Sequence, residues 1–249
     1  MDNKYLESFK KSLREYYVML GLNNIDRRIE DRVSRERSKR IVDMFEKKLL
    51  LKQFKILDVG CGWGEMQLEF LNWKYTKELY GIEPDNELYE ISYGINSNVK
   101  NAPAEDIPFE DDMFDLIIFN DVLEHVQNHQ KALEEIVRVT SKNGYIYISF
   151  PNYRYPSEAH YKVKMLPLSC FFPKWIYKIN LKILGRDPMF FEKYVNPICD
   201  FQFFKILKKI SEEMNFSYEI IDLNINKFKY QNIFGKPDIK VIIKIDKNI

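Results

Sequence analysis

The sequence predicts an α/β domain built on a doubly wound, mostly parallel β-sheet. Between residues 51 and 150, short apolar runs alternate with amphipathic segments of helical period. The first run ends in a glycine-rich turn at 60–64, and the second ends in an acid, Glu83. Because such alternation implies parallel strands joined by right-handed crossovers, we expect one domain spanning 1–249.

The predicted elements follow in order along the chain. Residues 1–50 indicate a helical cover made of two charged amphipathic helices, at 2–20 and about 26–50. The core at 51–150 predicts strands at 55–60, 78–83, 98–101, 114–119 and 145–150, with helices at 64–72, 85–92 and 129–140. Residues 200–249 predict a helix at 200–214 and an antiparallel edge hairpin, whose strands at 218–223 and 240–245 flank a turn signal at 234–237.

A long segment without regular pattern, 151–199, follows the fifth strand and holds six prolines and ten aromatic residues. Open α/β sheets bind ligands at the carboxyl ends of their strands, over which this insert would lie. We therefore expect a substrate-binding cap. A homo-oligomer interface is the alternative, because exposed aromatic residues also mark interfaces. A third is an interfacial membrane role for Phe171–Leu184.

Charge is distributed unevenly, although the formal net charge is only +1. Residues 51–150 carry 8 Lys and Arg against 18 Asp and Glu, whereas the flanking segments are all net positive. An acidic centre argues against a nucleic-acid partner but leaves room for a phosphate-bearing substrate held by the flanks. The seven arginines between Arg14 and Arg40 are expected on solvated helix faces, with phosphate binding as the alternative.

The three cysteines, Cys61, Cys170 and Cys199, are an odd number without a C-x-x-C motif. This pattern indicates a reducing compartment and favours neither a disulfide framework nor a zinc site. The sequence starts without an apolar leader, and no run approaches the ~18 apolar residues of a membrane span. We expect a cytoplasmic protein with no transmembrane segment.

The glycine-rich turn at 60–64 is the strongest candidate for a binding site. Glycine lets the backbone adopt positive φ and lets a ligand approach it closely. The spacing is not the G-x-G-x-x-G of dinucleotide-binding turns. The nearby acids Asp58, Glu65 and Glu83 would repel a pyrophosphate and suit a cationic, phosphate-free adenosyl ligand.

These motifs resemble those of the class I S-adenosylmethionine-dependent methyltransferases. Leu57–Gly64 is similar to the family's motif I, and Gly81–Pro84 is similar to the acidic motif that follows it. Further similarity lies at 104–109, 114–126 and 143–145, so that the resemblance covers about residues 50–152. It implies S-adenosylmethionine as cofactor and a seven-stranded sheet of order 3-2-1-4-5-7-6 with the last strand antiparallel.

The resemblance also implies which residues contact the cofactor. They are Asp58, Gly60, Cys61, Gly62, Gly64, Glu83, Pro84, Ala104, Glu105 and Asn120. Glu83 would bind the ribose diol, and Pro84 would pack on the adenine. The family often has an aspartate directly before its Ala-Glu pair, where this chain has Pro103. The backbone N–H of Ala104 and the side chain of Glu105 remain as adenine contacts.

Asp121, Glu124 and His125 follow the fourth strand and are the catalytic candidates. A carboxylate on the same turn can orient the imidazole, which accepts a hydroxyl proton as the methyl group is transferred. A structural role for this L-E-H stretch is the alternative. His160 is a second candidate base, and His129 is a weaker third because it opens a helix. Expected substrate contacts are Asn152, Tyr153 and His160.

A second resemblance concerns a metal site. Asp121-x-x-Glu124-His125 with a later histidine is similar to the divalent-ion ligands of the small-RNA 3′-end 2′-O-methyltransferases. That family has Glu where Asp121 stands, and the insert offers only His160 as a further ligand. We therefore expect a site without metal.

The expected reaction is O-methylation of a small molecule. The first expectation is a nucleotide-linked sugar of surface-polysaccharide biosynthesis, because its base would stack on aromatic residues and its diphosphate would bind the basic flanks. The alternatives are a quinone precursor or other phenol in a dry apolar pocket, and an RNA 2′-hydroxyl in a metal-dependent reaction. An interaction protein that kept the fold without catalysis is the alternative from another class.

Overall fold

The computed structural model describes residues 3–33, 35–156, 159–164, 169–223 and 238–247. Their strands are Phe54–Val59 (β1), Thr76–Ile82 (β2), Val99–Lys100 (β3), Phe114–Asn120 (β4), Thr140–Pro151 (β5), Phe216–Leu223 (β6) and Asp238–Lys247 (β7). They form a seven-stranded sheet of order β3-β2-β1-β4-β5-β7-β6, in which only β7 runs antiparallel to its neighbours. The predicted fold and strand order are confirmed.

The described helices are Asn3–Met19 (α1), Ile25–Val33 (α2), Glu36–Lys48 (α3), Glu65–Phe70 (α4), Asn86–Ile95 (α5), His129–Val139 (α6), Lys174–Ile183 (α7), Met189–Tyr194 (α8) and Asp200–Glu213 (α9). Side-chain caps fix two of their starts: Asp85 accepts from the backbone of Glu87 and Leu88 at α5, and Asn128 accepts from Lys131 at α6. Among the described helices there is none with the length and apolar character of a membrane span.

Apolar residues cover both faces of the sheet, as a parallel sheet requires. Along β1, Leu57 and Val59 pack with α6 and α9, whereas Phe54 and Ile56 pack on the other face with α3 and α4. The central strands are therefore fixed from two sides. Their carboxyl ends, where polar residues begin, are held in place by this core.

The predicted helix at 26–50 is wrong in one respect, because the chain breaks it into α2 and α3. Arg35 lies between them in the left-handed conformation, with φ of 56°. The break lets residues from both helices reach one acid: Arg32 lies 3.6 Å from Glu65, and the hydroxyl of Ser38 donates to Glu65 at 2.6 Å. Periodicity alone does not predict a turn at an arginine.

The insert at 151–199 contains regular structure, although its prolines suggested an irregular segment. It contains a 3-10 turn at Ser169–Phe171 and the helices α7 and α8. Pro173 and Pro188 directly precede these helices, at positions where the missing N–H costs nothing. The insert has its own core, which includes Tyr177 and Phe191 and which Leu20 and Leu22 join from the end of α1. The predicted turn at 234–237 lies outside the described residues.

Candidate active site

A cavity of about 150 Å³ lies at the carboxyl ends of β1 and β4. We call it the smaller cavity. Its lining residues are Arg32, Arg37, Ser38, Asp58, Gly60, Cys61, Gly62, Trp63, Glu65, Met66, Asn120 and Asp121. The strands thus bring together five of the ten residues expected at the cofactor, which are Asp58, Gly60, Cys61, Gly62 and Asn120.

The glycine turn has the backbone that the sequence predicted. Gly60, Gly62 and Gly64 all have positive φ, of 66°, 57° and 90°. A Cβ on Gly60 would lie 2.6 Å from a methyl group of Val122, whereas a Cβ on Gly62 would meet no atom within 4 Å. Gly62 therefore leaves open space at the cavity wall, where a ligand can approach the backbone.

Carboxylates dominate the smaller cavity and its floor. Asp58, Glu65 and Glu83 are all buried, with exposed fractions of 2%, 8% and 6%. Burial, reinforced by the negative charges of Glu83 and Glu65, raises the pKa of Asp58 to about 8. Oδ2 of Asp58 has no hydrogen-bond partner among the described residues. A cationic ligand would offset the burial of Asp58 and the negative charges around it, and it would give Oδ2 a partner.

Glu83 connects the second strand to the glycine turn but does not line the cavity. Its carboxylate accepts hydrogen bonds from the backbone N–H groups of Gly62 at 2.8 Å and of Asp85 at 3.0 Å. Burial raises its pKa, although these two bonds oppose the shift. Glu83 therefore sets the shape of the turn and keeps further oxygen lone pairs for a ligand hydroxyl.

The residues expected at the adenine also lie outside the cavity lining. Pro84 is exposed, and Ala104 is buried. Glu105 is used within the protein, because its Oε1 accepts from the backbone of Gln127 at 2.7 Å and of Asn128 at 3.2 Å. The side chain of Glu105 thus holds the loop before α6. The predicted adenine contact of the Ala104 backbone stays a prediction.

A larger cavity of about 670 Å³ adjoins the first. The N-terminal helices, the end of β4 and the insert form its walls. Its lining residues are Leu13, Tyr16, Tyr17, Leu22, Arg28, Asp31, Arg32, Glu36, Arg37, Arg40, Asp121, Glu124, His125, Pro151, Ala159, His160 and Lys162. Arg32, Arg37 and Asp121 line both cavities, so the two spaces meet at these residues.

An ion pair stands at this junction. Arg37 lies 2.5 Å from Oδ2 of Asp121 and also donates to Oδ1 of Asn120 at 3.2 Å. The hydroxyl oxygen of Ser149 lies 2.8 Å from Oδ1 of Asn120 and 2.7 Å from Oδ1 of Asp121, and it donates its proton to the carboxylate. Burial opposes the charge of Asp121, but Arg37 and Ser149 outweigh it and lower the pKa of this carboxyl. Asp121, at φ of 57°, is thus an ionised group bound to an arginine.

The candidate base His125 lies in the wall of the larger cavity. It ends a 3-10 turn, Leu123–His125, and its Nδ1 lies 2.8 Å from the carbonyl oxygen of Tyr194 in the insert. A carbonyl only accepts, so Nδ1 carries a proton. Nε2 lies 3.8 Å from Oε1 of Glu124, whose side chain is 1% exposed.

The insert brings a second histidine to the same place. The rings of His125 and His160 are 5.2 Å apart, and Nδ1 of His160 lies 3.5 Å from the hydroxyl of Tyr153. Ligand atoms of Glu124, His125 and His160 all lie within 4.8 Å of one another. This group is the one in the described residues that could hold a metal ion.

Two of the expected substrate contacts do not line the larger cavity. Asn152 and Tyr153 are each 1% exposed, and neither lines the larger cavity. Tyr153 packs against Tyr177 and Phe191 in the core of the insert, and its hydroxyl contacts His160. His160 does line the cavity, as expected. Alternating aromatic residues cannot by themselves distinguish a core face from a substrate face.

Sequence reasoning missed the arginines. Arg28, Arg32, Arg37 and Arg40 line the cavities, although solvated helix faces were the first expectation. Their signal is a repeat at three or four residues on helices that cover the sheet. His129 lies elsewhere, with Nε2 at 3.2 Å from the carbonyl of Asn196, and burial lowers its pKa.

Comparison with known proteins agrees with this geometry. Residues 57–148 match the family model of a methyltransferase domain. The ubiquinone/menaquinone biosynthesis C-methyltransferase of Geotalea daltonii is 32% identical over 128 residues, which cover 46% of this chain and 54% of that protein. The chain spans about half or less of the length of the curated relatives it matches.

Solved structures share the fold over most of the chain. The YcgJ protein of Bacillus subtilis is 18% identical with a TM-score of 0.55, covering 84% of this chain and 98% of that one. A methyltransferase of Thermotoga maritima, described as a possible histamine N-methyltransferase, is 16% identical with a TM-score of 0.54, covering 97% and 99%. With its glycine turn, its buried carboxylates and its sheet order, the chain has a methyltransferase domain at residues 57–148 and is similar to S-adenosylmethionine-dependent methyltransferases.

Proposed function

We propose that this chain transfers a methyl group from S-adenosylmethionine to a hydroxyl oxygen of an anionic small molecule, with His125 as the base. The observation that carries the proposal is the larger cavity. It holds His125 and a cluster of cations, and it opens into the carboxylate-lined smaller cavity at Arg37 and Asp121. Cofactor and acceptor would thus have adjoining spaces, and Arg28, Arg40 and Lys162 line only the larger one.

The smaller cavity fits the cationic end of the cofactor. Asp58, with its unpartnered buried oxygen, would hold the positive charge, and Gly62 would let the ligand lie against the backbone. Glu83 would accept from the ribose hydroxyls, and the backbone of Ala104 would contact the adenine. When bound, the cofactor supplies an already activated methyl group, so the chain has to position the acceptor and remove a proton.

His125 can take that proton. As the acceptor oxygen forms its bond to the methyl carbon and the carbon–sulfur pair returns to sulfur, the hydroxyl proton moves to Nε2 of His125. The carbonyl of Tyr194 fixes the imidazole through Nδ1, at 2.8 Å. The carboxylate of Glu124, 3.8 Å from Nε2, would stabilise the imidazolium that forms. Asp121 would stay ionised and keep Arg37 at the junction.

The proposed acceptor is a nucleotide-linked sugar. Arg28, Arg32, Arg40 and Lys162 line the larger cavity and offer the charge and the donors that a diphosphate needs. Aromatic rings of α1, Tyr16 above all, stand in the same wall and could stack on a base. We place the reaction in the cytoplasm, where nucleotide-linked sugars and free thiols coexist, because all three cysteines are free.

A quinone precursor or other phenol is the second candidate. The C-methyltransferase of Geotalea daltonii acts, by its name, in ubiquinone and menaquinone biosynthesis. Leu13 and Leu22 give the larger cavity an apolar part that a phenol would fill. The arginines argue against it, since a neutral acceptor would gain less from Arg28 and Arg40 than an anion would. An RNA acceptor is the third candidate, and it would require binding that weakens steeply with salt.

Calorimetry and a transfer assay test the proposal. S-adenosylmethionine and S-adenosylhomocysteine should both bind, and Glu83→Ala should weaken both without unfolding the protein. Absence of binding heat would instead support an interaction protein that kept the fold. Labelled methyl should then reach nucleotide-linked sugars but neither demethylmenaquinol analogues nor single-stranded RNA. Transfer to the quinol alone would replace the proposed acceptor by the second candidate.

A further inference from the structure

The turn Ser169–Phe171 and the helix α7 carry a concentration of exposed apolar side chains. Of sixteen large apolar residues that are exposed in the described chain, six lie between 171 and 184. They are Phe171, Phe172, Trp175, Ile179, Ile183 and Leu184, with exposed fractions from 41% to 77%. Exposed patches of this kind mark interaction surfaces in soluble domains.

The orientation of α7 is fixed by its opposite face. Tyr177 and Leu181 are 1% and 0% exposed, and the ring of Tyr177 stacks on Phe191 at 4.2 Å. Trp175, Ile179 and Ile183 recur every four residues on the other side of the helix. The helix therefore cannot bury them by rotating without losing its own packing.

The segment that carries this face is cationic. Residues 159–186 contain six Lys and Arg and neither Asp nor Glu. Lys174, Lys178 and Lys182 each directly precede one of the exposed apolar residues of α7, so a cationic row runs beside the apolar row. Lys178 pairs with Glu192 at 2.9 Å, whereas no ion pair is found for Lys174 or Lys182 within the described part of the chain.

We propose that α7 and the turn before it dock on the surface of an anionic lipid bilayer. The aromatic and aliphatic row would enter the boundary between headgroups and acyl chains, and the lysines would contact anionic headgroups. Charge complementarity selects this occupant. A second copy of the chain would place the same cationic rows near each other across a two-fold axis, where they repel. The proposal does not depend on which acceptor is methylated.

The surface contains its own fluorescent reporter. Trp63 and Trp73 are buried, at 4% and 6% exposure, whereas Trp175 is 61% exposed. Adding vesicles of equimolar phosphatidylcholine and phosphatidylglycerol should shift the tryptophan emission to shorter wavelength, and lipids brominated on the acyl chain should quench it. Vesicles of phosphatidylcholine alone should bind less, and added salt should release the protein from the anionic vesicles.

Vesicle sedimentation with matched variants separates the apolar and cationic contributions. Trp175→Glu combined with Ile179→Glu should lower the vesicle partition coefficient by ~10-fold or more, because both side chains would enter the bilayer. The control pair Leu50→Glu and Leu71→Glu changes residues that are 76% and 50% exposed on other elements, and it should leave binding unchanged.

The cationic arm uses variants that keep the reporter tryptophan. Lys174→Gln combined with Lys182→Gln should lower the partition coefficient by roughly 10-fold, as expected for two cations near an anionic surface. Lys208→Gln with Lys209→Gln on α9, where the lysine side chains are 76% and 54% exposed, should not.

Three results would overturn the proposal. One is failure of the wild-type chain to sediment with anionic vesicles at low salt. Another is equal loss of binding in the α9 or Leu50 and Leu71 controls, which would indicate adhesion without a defined surface. The last is a dimer that light scattering detects, that Trp175→Glu with Ile179→Glu dissociates, and that does not bind vesicles. A second copy of the chain would then cover this face.

Discussion

The two adjoining cavities of this protein are built by different parts of the chain and differ in their charged residues. Strand ends and the turn after β1 form the smaller cavity, where Asp58 and Glu65 are buried. Helices of the N-terminal cover and the insert form most of the larger one, where arginines and histidines face each other. The sheet core fixes the first geometry, whereas the second depends on side-chain contacts between peripheral elements.

Backbone fixity in the smaller cavity is tested by a pair of glycines. Gly60→Ala adds a Cβ 2.6 Å from a methyl group of Val122 at φ of 66°, so left-handed strain of ~1–2 kcal/mol adds to overpacking of ~1–3 kcal/mol. Gly62→Ala has only the strain, because its Cβ meets nothing within 4 Å. Urea unfolding should show the larger loss of stability for Gly60→Ala.

Calorimetry then distinguishes the two glycines by function. Gly62→Ala should weaken cofactor binding although it loses less stability than Gly60→Ala, because its Cβ occupies space that the ligand needs. Equal stabilities for the two variants would mean that Val122 moves away from the added Cβ. The glycine turn would then be less rigid than proposed.

The chemistry is assigned to the larger cavity, and His125 tests that assignment. His125→Ala should lower kcat by ~10²-fold or more while cofactor affinity stays the same, as expected for loss of a general base. His129→Ala is the matched control, since His129 lines neither cavity. An unchanged kcat would remove His125 from the role. Loss of activity with a chelator and its recovery with Mn²⁺ would show that Glu124, His125 and His160 hold a metal instead.

The same division explains what could be predicted from the sequence. The glycine turn, Glu83 and the strands follow from local patterns, because strand register alone brings the ends of β1 and β4 together. The position of Arg37 against Asp121 depends on the left-handed residue Arg35 and on how α3 packs, and neither has a local signal. Likewise, Pro173 directly precedes a helix in a segment whose sequence shows no regular pattern.

The cationic character of the larger cavity is tested by removing charge. Arg28→Gln combined with Arg40→Gln should raise the KM of an anionic acceptor by ~10²-fold or more, since hydrogen bonds to a charged group are each worth about 1.5–3 kcal/mol. Arg27→Gln is the control, because Arg27 is an exposed residue of the same helix as Arg28. Cofactor affinity should not change in either variant. A KM change with neutral acceptors as well would indicate a structural role for these arginines.

The acidic character of the smaller cavity has a pH signature. Burial raises the pKa of Asp58 from 3.8 to about 8, so at neutral pH without ligand this carboxyl is largely protonated. A cation binds better to the carboxylate, so cofactor affinity should rise with pH until the pKa is passed. Between about pH 6 and pH 7 the expected gain is roughly 10-fold. Asp58→Asn should bind weakly, with no such dependence.

Stability must show the opposite slope if this assignment is right. The folded state binds the Asp58 proton more tightly than the unfolded chain does, so the stabilisation is complete below pH 3.8 and is lost as pH rises through about 8. The Tm of the ligand-free protein should therefore carry a component that falls over this range and is absent in Asp58→Asn. Saturating S-adenosylmethionine should remove that fall, because the bound cation stabilises the carboxylate in place of the proton. A Tm profile that is identical in both proteins would mean that water reaches Asp58, and the contrast between the two cavities would then lie in charge alone and not in burial.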